Sequence, residues 1–138
     1  MKISIIYNSR TGTTKKYAEE MQAFLKEKGA DTMLSSLEEI NKEDLQASDL
    51  VLLGSWTSGL FFFAQHPDKK WKQNVSKLSG ISDKKICLFT TYKTLTGSMF
   101  RKMQQSLNLP EDAKVHYLKS RSSKLTEQNK EELEKCLN

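Results

Sequence analysis

The 138-residue chain carries 22 Lys/Arg against 17 Asp/Glu, a formal net charge of +5, with 37% apolar and 28% charged residues. That composition excludes a disordered chain, and the length suits a single domain spanning 1–138 with a sizeable buried core. The first apolar run is five residues long and follows Lys2 directly, too short for a signal segment or a membrane span, so a cytoplasmic protein is expected.

Ile3-Ser4-Ile5-Ile6-Tyr7 is short, β-branched and aromatic, and reads as a buried strand. Ser9-Arg10-Thr11-Gly12-Thr13-Thr14 follows, and then Tyr17, Ala18, Met21, Phe24 and Leu25 recur at helical spacing. A strand, a hydroxyl-rich turn with one glycine and a helix present free backbone N–H groups to an anion. The hydroxyls add side-chain donors to phosphate oxygens. The turn lacks both the GxxxxGK[ST] pattern of nucleoside triphosphate loops and the GxGxxG of dinucleotide folds, so it suits a phosphate monoester. Simple capping of the helix by Thr13 or Thr14 is the competing reading.

Gly29 is placed to end this helix, Asp31 to Leu37 offers a weaker second strand, and Leu37, Ile40 and Leu45 line a short second helix. Asp49-Leu50-Val51-Leu52-Leu53-Gly54 is a near-continuous apolar run, as expected of a strand covered on both faces. A polar and aromatic loop begins at Ser55 and runs to about Pro67; Trp71, Val75 and Leu78 then mark a third helix. Residues 85–90 form a fourth strand, and Met99, Phe100, Met103 and Leu107 stripe a helix that stops before Pro110. Val115 to Leu118 is a fifth strand, and Thr126 caps a last helix carrying Leu133 and Leu137. Strands alternating with helices predict an α/β protein with one parallel sheet, right-handed crossovers and helices on both faces. Ligands bind beyond the carboxyl ends of such strands, which singles out residues 8–14, 54–64 and 90–98.

Ser9-x-Thr11-Gly12-x-Thr14 resembles the [ST]-x-T-G-x-T loop that holds the FMN phosphate in the flavodoxin family, and the similarity of element order covers essentially the whole chain. The resemblance implies a flavodoxin-like three-layer sandwich, with a five-stranded parallel sheet in the order 2-1-3-4-5 and FMN at the strand ends. By that likeness the hydroxyls of Ser9, Thr11 and Thr14 and the N–H groups of the loop, Gly12 included, hold the phosphate. Arg10 and Thr13 fill variable positions and contribute mainly main-chain donors. Ser55, Trp56, Thr57 and Gly59 fall where the family's inner flavin wall begins, with Trp56 the first candidate for stacking; its alternative is packing on the third helix. Phe61, Phe62 and Phe63 rim the ring or form an exposed contact patch. Thr91, Tyr92 and Gly97 belong to the outer loop, where Tyr92 maps to the other flavin face. Lys93 departs from the acidic loops of electron-carrying members. An ammonium beside the ring favours an anionic reduced flavin, whereas a solvent-facing lysine has no such role.

The implied function is that of an FMN-binding redox protein of the flavodoxin electron-transfer type. An FMN-dependent reductase of a quinone or another small acceptor stays open, as does a binding domain that has lost flavin. A receiver-type signalling module is set aside, because Gly54-Ser55 stands where its phosphoacceptor Asp belongs and Tyr7-Asn8 where its acidic pair belongs. The partner is a redox protein or a small electron acceptor. A pI near 9.1 argues against the docking scheme of acidic carriers and points to an anionic partner. Residues 1–69 hold 8 Lys/Arg against 10 Asp/Glu, and residues 70–138 hold 14 against 7. That asymmetry steers an anion toward the C-terminal half, unless the lysines merely solvate helices. No nucleic-acid motif is present. His66, His116, Cys87 and Cys136 lie in no metal or nucleophile pattern, and the cysteines read as reduced thiols.

Overall fold

The computed structural model describes residues 1–57, 69–93, 96–110 and 112–138. Strands β1 (Lys2–Asn8), β2 (Asp31–Ser36), β3 (Leu50–Trp56), β4 (Lys85–Thr91) and β5 (Val115–Ser120) form one sheet in the order β2-β1-β3-β4-β5. Every neighbouring pair is parallel, so the expected fold class and strand order are both observed. Helices α1 (Thr13–Glu27), α2 (Lys42–Ala47), α3 (Lys69–Asn74), α4 (Met99–Ser106) and α5 (Glu127–Leu137) supply the outer layers.

Side chains alternate across the strands, and each face of the sheet has its own core. Ile3, Ile5, Leu50, Leu52, Cys87 and Phe89 pack with Tyr17, Met21 and Leu25 of α1 and with Leu133 and Cys136 of α5. Ile6, Val51, Leu53, Ile86 and Leu88 face the other way, against Leu45 of α2, Trp71 of α3 and Met99 and Met103 of α4. Each large apolar side chain so buried contributes about 1.5–3 kcal/mol by leaving water. Trp71, rather than Trp56, is the tryptophan that packs a helix inward; its Nε1–H donates to Ser106 Oγ at 2.9 Å.

Local signals set most of the boundaries. Gly29 adopts φ 87, its N–H donates to the Lys26 carbonyl and the Ala30 N–H reaches back to the Leu25 carbonyl, the paired bonds of a Schellman motif. Thr126 Oγ1 accepts from Asn129 N–H while Asn129 Oδ1 accepts from Thr126 N–H, a capping box that starts α5. The second helix is not one piece: a 3₁₀ turn over Leu37–Glu39 gives way to extended Ile40, and Asn41 then caps α2 by accepting from Asp44 N–H. Strand β3 runs two residues past the expected loop start, since Ser55 and Trp56 pair with Thr90 and Thr91.

Gly54 lies inside β3 rather than at its end. A Cβ there would sit 1.9 Å from the Phe89 ring, which itself meets Tyr17 edge-on at 5.9 Å between centroids. Both cysteines are free and buried, and burial pushes the Cys87 thiol pKa well up. Among the described residues, no helix is long and apolar enough to cross a membrane and no His/Cys/Asp/Glu cluster could hold a metal.

Candidate functional site

At the carboxyl end of β1 the chain turns through residues 9–12 into α1. Gly12 is the residue before the helix, at φ 93 and ψ −8, a left-handed conformation that strains any side chain. Thr13 and Thr14 are therefore the first helical residues and neither is the cap. Ser9 takes that part instead: its Oγ accepts from Gly12 N–H at 3.0 Å and Lys15 N–H at 3.4 Å, leaving its own O–H to donate. The Thr11 and Thr13 hydroxyl oxygens lie 3.5 Å apart beside it.

The first turn of α1 holds no acidic side chain, although the helix end carries partial positive charge from its unpaired N–H groups. Lys15 and Lys16 add like charge there, an arrangement that favours an anion. Among the described residues, no atom beyond its chain neighbours lies within 4 Å of the position a Gly12 Cβ would take, so the backbone is open to close approach. These features fit a phosphate monoester.

Deeper in, hydroxyls hold the strand ends together. Thr14 is buried, with its Oγ1 2.7 Å from Thr91 Oγ1, so the first turn of α1 is tied to the end of β4. Asn8 Nδ2 donates to Ser55 Oγ at 3.1 Å, joining β1 to β3. Thr57 Oγ1 lies 2.7 Å from Thr90 Oγ1, which donates to the Ser55 carbonyl at 2.7 Å. Thr57 N–H donates to the Thr91 carbonyl at 2.8 Å, extending the pairing one residue beyond β3.

Two aromatic side chains stand at the ends of the central strands, both half-buried. The Arg10 guanidinium lies over Trp56, 5.2 Å from the ring centroid, so the β1 loop also reaches β3 through a side chain. Tyr92 follows β4 and its N–H donates to the Ser120 carbonyl at 3.1 Å. Lys119 Nζ and Arg121 Cζ lie 5.9 and 5.7 Å from the Tyr92 ring centroid. Lys93 is exposed, and Gly97 at φ 49 precedes α4.

The structure thus brings Ser9 to Thr14, Ser55 to Thr57 and Thr91 with Tyr92 to one edge of the sheet. Gly59, Phe61, Phe62, Phe63 and His66 lie outside the described residues. Arg10 over Trp56, and Lys119 and Arg121 around Tyr92, escaped the sequence reading, whose one signal for the latter pair was the basic C-terminal half. His116 Nδ1 meets Glu132 Oε1 at 2.9 Å, a bond between β5 and α5 that holds the Glu132 pKa below the usual carboxylate value.

Known proteins resemble this chain in sequence and fold. A curated flavodoxin of Clostridium beijerinckii is 27% identical over 106 residues, covering 77% of this chain and 75% of that protein. The solution structure of two-electron reduced Megasphaera elsdenii flavodoxin superposes with a TM-score of 0.73 at 26% identity, covering 97% of each chain. A Fusobacterium nucleatum flavodoxin variant bound to flavin mononucleotide shares the fold at a TM-score of 0.66 and 19% identity, over 99% of this chain and 92% of that one. The family model described as the flavodoxin domain matches residues 4–120, from β1 through the last residue of β5 and so through every strand-end segment above. With sheet order, strand-end loops and sequence in agreement, this chain belongs to the flavodoxin domain family.

Proposed function

We propose that this chain is an FMN-binding electron-transfer protein that acts as one unit over residues 1–138. The observation that carries the reading is the β1–α1 turn, where a left-handed glycine, three nearby hydroxyls and an acid-free helix N-terminus lie within a few residues of one another. Ser9, Thr11, Gly12, Thr13 and Thr14 are its phosphate cradle, with Arg10 bracing the loop against Trp56. Trp56 and Tyr92 give the isoalloxazine flat apolar surface. Ser55, Thr57 and Thr91 keep these walls in register, while Gly97 turns the chain into α4. When bound, FMN supplies one- and two-electron redox chemistry that no side chain can. The protein's own part is to hold the phosphate, exclude water from the ring faces and set the local charge. Two unpaired thiols suit a reducing compartment, so we place this activity in the cytoplasm, serving a redox partner protein.

Titration of the purified, flavin-stripped protein with FMN tests the reading. It should take up one equivalent, with a shifted flavin absorbance and quenched flavin fluorescence; a folded sample that binds none overturns the proposal. Thr11→Ala should weaken FMN by about fivefold, the loss of ~1 kcal/mol for one hydrogen bond to a charged group, and leave riboflavin affinity unchanged. Equal weakening of both ligands would contradict a phosphate role for Thr11.

A further inference from the structure

Residues 8–16, 91–98 and 119–126, the segments at the carboxyl ends of β1, β4 and β5, contain seven cationic side chains and no Asp or Glu. They are Arg10, Lys15, Lys16, Lys93, Lys119, Arg121 and Lys124, and every one is exposed. Among the described residues none of the seven is in an ion pair; the bridges use Lys28, Lys70, His116, Lys130 and Lys135 instead. Three carboxylates on the adjoining helices are already engaged. Glu20 accepts from Leu125 N–H, Glu127 pairs with Lys130 at 3.3 Å and Glu132 pairs with His116 at 2.9 Å. The opposite edge is mixed: Lys2, Lys84 and Lys85 stand there with Asp31, Asp49 and Asp83, and Lys2 N–H donates to Asp49 Oδ2 at 2.9 Å.

A bound phosphate does not account for this edge. A phosphate monoester brings a charge of about −1.5 to −2, well short of seven cations. It would sit at β1, whereas Lys93, Lys119, Arg121 and Lys124 follow or end β4 and β5, two and three strands across. At ~4.8 Å per strand that is about 10–14 Å, beyond a Debye length of ~8 Å at physiological salt. A cleft of about 440 Å³ opens on the same side, lined by Tyr92, Lys119, Arg121, Ser122 and Gln128 together with Glu132, which Lys135 meets at 3.5 Å. Its two cations, Lys119 and Arg121, outnumber its one carboxylate, which suits an acidic side chain of a partner. The three segments that carry these cations hold one aromatic side chain, Tyr92, which the flavin reading already uses, and so no row of rings on which nucleic-acid bases would stack; that favours a protein partner.

Resting on the electron-transfer reading above, we infer that the β4–β5 side of this edge is a docking surface for the acidic face of a partner redox protein. Acidic residues on the partner close on Lys93, Lys119, Arg121 and Lys124, and the charge pattern turns its redox centre toward the strand ends.

The test uses the FMN-loaded protein, chemically reduced and mixed in a stopped-flow instrument with a basic c-type cytochrome or with the same cytochrome after succinylation of its lysines. Each ferric haem takes one electron from the reduced protein. At low ionic strength the succinylated form should be reduced about tenfold faster than the native form. Its rate should fall as salt rises, while the native cytochrome's rate climbs. Combining Lys119→Gln, Arg121→Gln and Lys124→Gln should remove most of that salt dependence, whereas Lys26→Gln with Lys114→Gln, on the opposite edge, should leave it intact. Faster reduction of the native cytochrome, or rates indifferent to salt, overturns the inference. So does tighter binding of a single-stranded oligonucleotide than of the succinylated cytochrome at 150 mM salt. Failure to take up FMN sinks the functional reading instead. Anisotropy of labelled succinylated cytochrome on the flavin-free chain, with and without the triple substitution, then still decides the docking surface.

Discussion

At the β1 end of the strand-end surface, Ser9 Oγ accepts two backbone N–H groups and the Thr11 and Thr13 hydroxyls meet at 3.5 Å, all within one turn of chain. At the β5 end, Lys119, Arg121 and Lys124 are long exposed side chains, the first two lining a cleft of about 440 Å³. Both ends carry groups that suit an anion, by different physics. Short neutral donors on a fixed backbone are directional and act over one hydrogen-bond length, which selects a small ligand of set geometry. Flexible cations act over a Debye length and ask little of geometry, which suits the encounter with a large partner. Between the two ends run β3 and β4, whose packing sets how far apart they stand.

Gly54→Ala attacks that spine and should have the largest effect. The added methyl meets the Phe89 ring at 1.9 Å, and the ring is itself confined by Tyr17, so the strands must separate or the ring leave its place. Overpacking of this kind costs about 3 kcal/mol, to be read as a lower urea midpoint of the flavin-free protein. An unchanged midpoint would show the spine to be softer than its packing suggests.

Thr14→Val unties the two ends without changing their bulk. It leaves the buried Thr91 hydroxyl without the partner 2.7 Å away, a loss of about 1–2 kcal/mol in unfolding free energy. Thr14→Ser should recover most of it. If valine proves neutral, the bond between α1 and β4 contributes nothing net.

The smallest effect concerns the β5 end alone. Hydrogen bonding to His116 lowers the folded-state pKa of Glu132, so the unfolded chain binds the proton more readily. The stability this supplies is present above about pH 4.5 and is lost as pH falls through the lowered folded value. His116→Ala should flatten the pH dependence of unfolding below that point and leave FMN affinity untouched. A steeper acid limb in the variant would contradict the assignment.

How much could be read without coordinates differs between the two ends in the same way. The β1 turn was legible because strand, glycine, hydroxyls and helix follow one another within 20 residues, and local chemistry dictates local geometry. Ser9 as the acceptor for the helix N-terminus was not, because a threonine at the start of a helix looks like a cap until Gly12 is seen to occupy that place. The second helix divided where Ile40 and Asn41 favour an extended residue and a cap over continued helix. At the β5 end the lysines were visible as an excess charge only.

Periodicity and turn chemistry in the chain were enough to determine five strands, their helices, the Schellman and Thr126 ends and the hydroxyl-rich turn before the first helix, since each rests on residues close in sequence. Tertiary structure alone decided that Thr14 meets Thr91, that Gly54 yields to Phe89, that Arg10 covers Trp56 and that seven cations share one edge. Those contacts join residues up to about a hundred positions apart, and only the order in which strands pair brings them together.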